Sequence, residues 1–246
     1  MASVKQHYDS FLGRNYSWMC GDFGKRTNEN LEFFRSLEVA ASPGERALDL
    51  GCGPGFQSIA LAALGFEVTA VDLCAVLLEE LATRNQGGGI KTVESDLLEF
   101  LRDCPHESVS VITCMGDTVT HLGSLDEVSS LLAMSYELLA EGGMLVLSYR
   151  DLTAELTGAG RAIPVYSDEN RILTTFLEYG PELVTVNDML YERSGSGWSF
   201  CSSSFTKLRV GAEWMTPKSG ELGFRLVYED ADKGFVRLAL LKQVTG

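Results

Sequence analysis

Apolar and polar positions along the chain switch between two periods, and the switches mark out the elements. Arg46-Ala47-Leu48 reads as a short buried strand, whereas Phe56 to Leu64 has helical composition and the apolar spacing of a packed face. Phe66 to Val71, Ile90 to Glu94 and Ser108 to Cys114 read as further strands. Leu125 to Glu141 predicts an amphipathic helix, stopped by Gly142-Gly143 before a strand over Met144 to Tyr149. Strands alternating with helices in this way imply a parallel sheet covered on both faces, with ligands collecting at the carboxyl ends of the strands.

Two regions break the alternation. Between Asp151 and Val210, three β-rich runs follow one another: Arg171 to Glu178, Glu182 to Tyr191 and Trp198 to Val210. The turn sequences Tyr179-Gly180-Pro181 and Ser194-Gly195-Ser196-Gly197 separate them and predict an antiparallel flap. Trp198, Phe200, Leu208 and Val210 alternate in the manner of one covered face. Before Arg46, Leu31 to Leu37 reads as an amphipathic helix, whereas Tyr8, Phe11, Arg14, Tyr16, Trp18 and Met19 form an aromatic lead-in too irregular for one. The organisation read from this is an N-terminal segment over 1–45, a core over 46–150, an insertion over 151–210, and a closing helix and strand pair over 211–246.

A length of 246 residues suits one α/β domain carrying an insertion. The net charge of −14 argues against nucleic-acid partners, which are bound largely through Lys and Arg at phosphates. No apolar run approaches bilayer-crossing length, and Met1 to Gly13 lacks the apolar stretch of a signal peptide, so no membrane partner and a cytoplasmic location are expected. The six cysteines, Cys20, Cys52, Cys74, Cys104, Cys114 and Cys201, are scattered with no C-x-x-C and no His at ligand spacing. That pattern predicts reduced thiols and no metal site.

Candidate chemistry concentrates where the first core strand meets the first core helix. Leu48-Asp49-Leu50-Gly51-Cys52-Gly53-Pro54-Gly55 is a glycine-dense turn, which lets backbone approach a ligand that a β-carbon would block. The dinucleotide fingerprint asks for a small residue where this chain has Phe56, which disfavours NAD. Asp72 stands at the end of the second strand, where a carboxylate would accept hydrogen bonds from two vicinal ribose hydroxyls. The third strand ends in Ser95-Asp96-Leu97-Leu98. Taken singly, Asp72 and Asp96 read equally well as helix N-caps.

Taken together, the D-x-G-x-G-x-G spacing from Asp49 to Gly55, Asp72, and Asp96-Leu97 resemble the class I S-adenosylmethionine-dependent methyltransferases, closely from about Arg46 to Arg150. The resemblance implies an α/β fold with a Rossmann-like, mostly parallel seven-stranded sheet, helices on both faces and an antiparallel β insertion. Phe224 to Glu229 and Gly234 to Leu241 would form the closing antiparallel pair. S-adenosylmethionine is the implied cofactor and S-adenosylhomocysteine the product. The glycine turn would pass under the amino-acid half, with Asp96 at the exocyclic amine of adenine and Leu97 as backbone and apolar contact. The implied cofactor contacts are Asp49, Gly51, Cys52, Gly53, Gly55, Asp72, Leu73, Asp96, Leu97 and Met115, joined by Tyr16 and Trp18 where the leader folds over as a lid. An apolar flap without ligand contact accounts for the same aromatic residues.

After the fourth strand the chain reads Met115-Gly116-Asp117-Thr118, without the Asn/Asp-Pro-Pro-aromatic signature of enzymes that methylate nucleic-acid amines. Cys104-Pro105 reverses the Pro-Cys order of the cytosine methylases. In a helical turn, Asp117 and His121 would share a face at i, i+4, so that the carboxylate orients the imidazole or raises its pKa as a general base. Equally, Asp117 or Thr118 would cap that turn. Arg150, ending the fifth strand, offers a planar fork to a substrate carboxylate, or a partner to Asp151. The reading reached is a methyltransferase acting on N or O of a small molecule, with His121, Asp117 and Arg150 as catalytic candidates. The insertion would roof the acceptor pocket or form a homodimer face. A protein methyltransferase and a non-catalytic S-adenosylmethionine-binding module are the alternatives.

Overall fold

The computed structural model describes residues 3–104, 109–232 and 234–243. Met1, Pro105 and Ser108, all named above, lie outside the described residues. In chain order the strands are β1 (Arg46–Leu50), β2 (Glu67–Asp72), β3 (Ile90–Glu94), β4 (Val109–Cys114), β5 (Leu139–Arg150), β6 (Ala162–Ser167), β7 (Arg171–Tyr179), β8 (Leu183–Ser194), β9 (Gly197–Leu208), β10 (Phe224–Asp232) and β11 (Phe235–Lys242). The helices are α1 (Val4–His7), α2 (Gly13–Cys20), α3 (Phe23–Ser36), α4 (Phe56–Ala63), α5 (Ala75–Arg84), α6 (Leu97–Asp103), α7 (Leu125–Leu138) and α8 (Ala212–Glu221).

A seven-stranded sheet of order β10-β11-β5-β4-β1-β2-β3 forms the body of the protein. β1 to β5 pair in parallel, and β11 joins β5 antiparallel. The order reverses between β1 and β4, which opens a crevice beyond the carboxyl end of β1. Both faces are covered, so the central strands are largely apolar, with Asp49 and Thr113 as buried polar exceptions. Leu48 and Leu50 of β1 enter one core with Leu131, Leu145 and Met215, while Ala47 enters the other with Phe34 and Leu61.

The helix predicted over Leu125 to Glu141 ends earlier, at Leu138, and Gly142-Gly143 lies within β5 instead of stopping the helix. The ladder decides this. Leu139 pairs with Val109 and the register then slips before Val111 meets Met144, with Gly142 absorbing the irregularity at φ 75°. Lys242 of β11 donates to the carbonyls of Tyr136 and Leu139 at 2.7 and 2.6 Å, satisfying the end of α7 from 103 residues away.

The aromatic leader is a helix, against the irregular segment expected. α1 continues through a π-helical turn over Tyr8–Leu12 into α2. A π turn inserts one residue, so the aromatic positions on its two sides fall out of phase with a single 3.6-residue period. Phe11 and Leu12 nevertheless pack together against Leu173 and Leu190 of the inserted sheet. Gly13 permits the approach, since a Cβ there would stand 2.8 Å from Cys74 Sγ.

The second sheet, of order β6-β7-β8-β9, is antiparallel throughout. β6 escapes the sequence reading because Pro164 sits in it, which an edge strand tolerates beside the register shift between Pro164 and Tyr166. Leu208 and Val210 are buried as expected, but Trp198 and Phe200 are 48% and 55% exposed. The far end of β9 projects beyond the core that covers its near end.

Candidate active site

Gly51 and Gly53 leave β1 at φ 69° and 53°, and a Cβ on Gly51 would lie 2.3 Å from Thr118 Oγ1. The turn is therefore glycine for two reasons, its left-handed backbone and its contact with the segment after β4. Asp72 ties the turn to β2: its Oδ2 accepts from Gly53 N at 2.8 Å and its Oδ1 from Cys74 N at 2.8 Å. One donor per oxygen leaves the carboxylate further lone pairs. Burial pushes its pKa up, and the backbone N–H groups of Cys74 and Gly53 oppose that shift. Asp96 caps α6, Oδ1 accepting from Leu98 N and Glu99 N at 2.8 and 3.1 Å, so the N-cap reading holds for this residue. Its second oxygen remains available to a ligand.

These groups share a cavity of about 330 Å³. Gly51, Gly53, Asp72, Leu73, Asp96, Leu97, Tyr16 and His121 all line it, and Val71, Leu77 and Leu122 supply apolar wall. The residues fit a nucleoside: two carboxylates at successive strand ends, apolar side chains for the faces of a base, and a glycine turn that leaves backbone uncovered.

Other expected residues stand elsewhere. Asp49 is a buried structural carboxylate, bonded to Ser58 Oγ at 2.5 Å and Thr113 Oγ1 at 2.8 Å. Burial raises its pKa to about 6 against those two hydroxyls. Gly55 packs on Leu81, whose Cδ1 would lie 2.2 Å from a Cβ. Cys52 and Met115 face a smaller neighbouring cavity of about 140 Å³. Trp18 turns away from both cavities, donating to Asp168 at 2.6 Å with Arg171 stacked 4.2 Å over its ring, and so docks α2 on the inserted sheet.

Asp117 and His121 do not form the expected pair. Asp117 precedes the 3₁₀ turn Thr118–His121 in the left-handed region, φ 81°, so the two residues share no helical face. The Asp117 carboxylate instead meets Lys207 Nζ at 2.8 Å and Arg150 Nε at 3.4 Å. Burial works against its charge, but Lys207 and Arg150 outweigh that and hold the carboxyl below its ordinary range. Arg150 is paired with Asp117 and otherwise exposed, and is not among the cavity's lining residues.

His121 Nε2 lies 3.3 Å from Tyr8 Oη, and its Nδ1 is buried without a partner. Burial lowers its pKa to about 3, with Lys207 adding to the fall and Asp117 opposing it. The imidazole is therefore neutral at physiological pH, the reverse of the raised pKa expected. Phe205 of β9 lies 5.5 Å from the His121 ring and 4.1 Å from the ring of His7. His7 is buried, with Nδ1 2.8 Å from Ser203 Oγ and Nε2 3.3 Å from Asp188 Oδ2. Sequence reasoning placed none of Tyr8, Lys207 or Phe205 in the site. Tyr8 carried a signal as part of the aromatic leader, whereas Lys207 and Phe205 carried none.

A family profile described as "Methyltransferase domain" matches residues 47–143, the stretch that holds the glycine turn and both carboxylate strand ends. Over that stretch the chain carries a methyltransferase domain of the class I S-adenosylmethionine-dependent kind. The glycine/sarcosine N-methyltransferase of Aphanothece halophytica is 36% identical over 130 residues, 51% of this chain and 48% of that protein. The enzyme of the same name from Parasynechococcus marenigrum is 27% identical over 214 residues, 86% and 73% of the two chains. The first alignment thus spans about half of the curated relative's length. Among solved structures, the CcbJ methyltransferase of Streptomyces caelestis superposes with a TM-score of 0.75 at 18% identity, covering 98% and 99% of the two chains. An amino pentose methyltransferase of Micromonospora echinaspora, solved with S-adenosylmethionine bound, gives 0.70 at 18% identity and 99% coverage of both. At such identities the superpositions establish the shared fold.

Proposed function

We propose that this protein transfers a methyl group from S-adenosylmethionine to a nitrogen of a small-molecule acceptor. The observation that carries the reading is one cavity running from Asp72 and Asp96, over the glycine turn, to Tyr8 and His121. When bound, the cofactor supplies an electrophilic methyl group on sulfur. Asp72 would accept from the ribose hydroxyls, and the second Asp96 oxygen from the adenine amine, between Leu73 and Leu97. Residues 1–45 would close over this site, residues 151–210 would roof the acceptor space, and 46–150 with 211–246 would form the body that holds the cofactor.

On the acceptor side, neutral His121 offers a nitrogen lone pair, and the Tyr8 hydroxyl orients its ring. With a pKa of about 3 the imidazole is a weak base, so its lone pair in a dry, aromatic surround would orient a neutral attacking amine by accepting its hydrogen bond. Nitrogen is favoured because the relatives named above are glycine/sarcosine N-methyltransferases. The net charge of −14 is poorly suited to a polyanionic acceptor, and the free cysteines fit a reducing compartment such as the cytoplasm.

The test is incubation of the purified protein with methyl-labelled S-adenosylmethionine and a panel of small amines, including glycine, sarcosine and amino sugars. Label should pass to a small molecule. Label found only in added proteins, or S-adenosylhomocysteine binding with no turnover on any acceptor, would overturn the reading.

A further inference from the structure

On the face of the inserted sheet that meets the leader, Thr175, Asp188 and Ser203 stand opposite one another on β7, β8 and β9 and form a polar row. Apolar rows flank it on both sides, Leu173 with Leu190 and Leu177 with Val186 and Phe205. Phe11 and Leu12 pack on the first of these through contacts that carry no direction. The polar row does carry direction, because a buried polar group costs free energy unless a partner meets it in good geometry. It therefore sets where the leader can dock.

The partner is His7 of α1, whose side chain is wholly buried. Its Nδ1 lies 2.8 Å from Ser203 Oγ, and its Nε2 faces Asp188 Oδ2 at 3.3 Å, off the line of a hydrogen bond. Thr175 Oγ1 donates to the other Asp188 oxygen. His7 itself is not among the residues lining the larger cavity. The next residue turns the other way: Tyr8 lines that cavity and sets its Oη 3.3 Å from His121 Nε2. Phe205 joins the two imidazoles, 4.1 Å from the His7 ring and 5.5 Å from the His121 ring. Ser203, Phe205 and Lys207 alternate along one face of β9, so a single strand spaces His7, His121 and Asp117 in turn.

We propose that His7 is a positioning residue for methyl transfer: by registering α1 on the row of Thr175, Asp188 and Ser203, it holds the Tyr8 hydroxyl on His121 and so fixes the imidazole that meets the acceptor. The inference rests on the reading of His121 as the group on the acceptor side.

Two variants of the full chain test it. His7→Phe keeps a ring between Phe11 and Phe205 and removes both nitrogens, whereas His7→Gln keeps a donor for Asp188. With the small amine that wild type methylates fastest, kcat should fall roughly fivefold or more in His7→Phe and less in His7→Gln, with S-adenosylhomocysteine affinity within about threefold of wild type. Tyr8→Phe removes the hydroxyl alone and should lower kcat too. The double variant should lie within about twofold of the slower single variant, because both changes break one contact. NMR of ¹⁵N-histidine gives a readout free of turnover, in a chain with three histidines. The His121 signal should move in His7→Phe toward its position in Tyr8→Phe. An unmoved His121 signal in a folded His7→Phe protein would overturn the proposal whatever the kinetics. So would a lower thermal midpoint with kcat unchanged, which would make His7 structural, or a double variant whose loss is the product of the two single losses. Should His7→Phe fail to fold, His7→Gln carries the same comparisons with smaller effects. Wild type transferring label to no small acceptor would remove the methyl-transfer reading, a separate failure, and the NMR comparison would still decide whether His7 holds Tyr8 on His121.

Discussion

Lys207 Nζ lies 2.8 Å from Asp117 Oδ2, joining the inserted sheet to the end of β4 across 90 residues of sequence. Both side chains are nearly buried, 13% and 14% exposed. Removing one member of such a pair leaves the other charge poorly compensated. Lys207→Met should therefore cost about 2–4 kcal/mol, with Arg150 limiting the loss. Because the Asp117 carboxyl titrates below its ordinary range, the stabilisation is present at neutral pH and is lost as pH falls through the folded pKa. Urea unfolding at pH 7 and under progressively acid conditions should show the gap between wild type and variant narrowing as pH falls.

Asp72→Ala should weaken S-adenosylhomocysteine binding by about tenfold or more, the loss of charge-assisted bonds worth roughly 1.5–3 kcal/mol. The carboxylate also braces the turn through Gly53 N and Cys74 N, so a modest fall in thermal midpoint should accompany it. Calorimetry on a folded variant with unchanged affinity would remove Asp72 from the ribose site.

His121, with its pKa lowered to about 3, stays neutral across the working range and should contribute no limb to a pH–rate profile between about pH 5 and 8. His121→Gln should lower turnover roughly tenfold or more, with S-adenosylhomocysteine affinity within about threefold of wild type. Turnover against pH for both proteins is the measurement. An acidic limb near pH 6.5 present only in wild type would show that the imidazole titrates normally in the complex.

Asp49 has the opposite linkage to Asp117. Its folded pKa of about 6 lies above the unfolded value, so its contribution is greatest when protonated and falls as pH rises from about 4 to 6. Asp49→Asn escapes that change. Relative to wild type the variant should gain roughly 2–3 kcal/mol between about pH 4 and 7, with no further change above. A constant difference in unfolding free energy over that window would rule out the raised pKa.

What the sequence by itself determined is the part of the protein where function depends on local chemistry. The Gly51-Cys52-Gly53 turn, Asp72 at the end of β2 and Asp96 at the start of α6 each depend on a few consecutive residues. Strand β1 with its switch to α4, and the antiparallel pairing of β7 with β8, are likewise set by period and turn residues close in sequence. The tertiary structure decided everything that depends on which distant groups meet. The i, i+4 spacing of Asp117 and His121 suggested a pair, but a left-handed residue and a lysine 90 positions away took the carboxylate elsewhere. Lys242 set the end of α7, and packing on Leu173 and Leu190 held the leader as a helix through a π turn that its periodicity concealed. Asp49 shows both sides at one residue. Its place in the glycine motif was legible, but that burial beside Ser58 and Thr113 makes it a structural carboxylate follows only from strand neighbours brought together by folding.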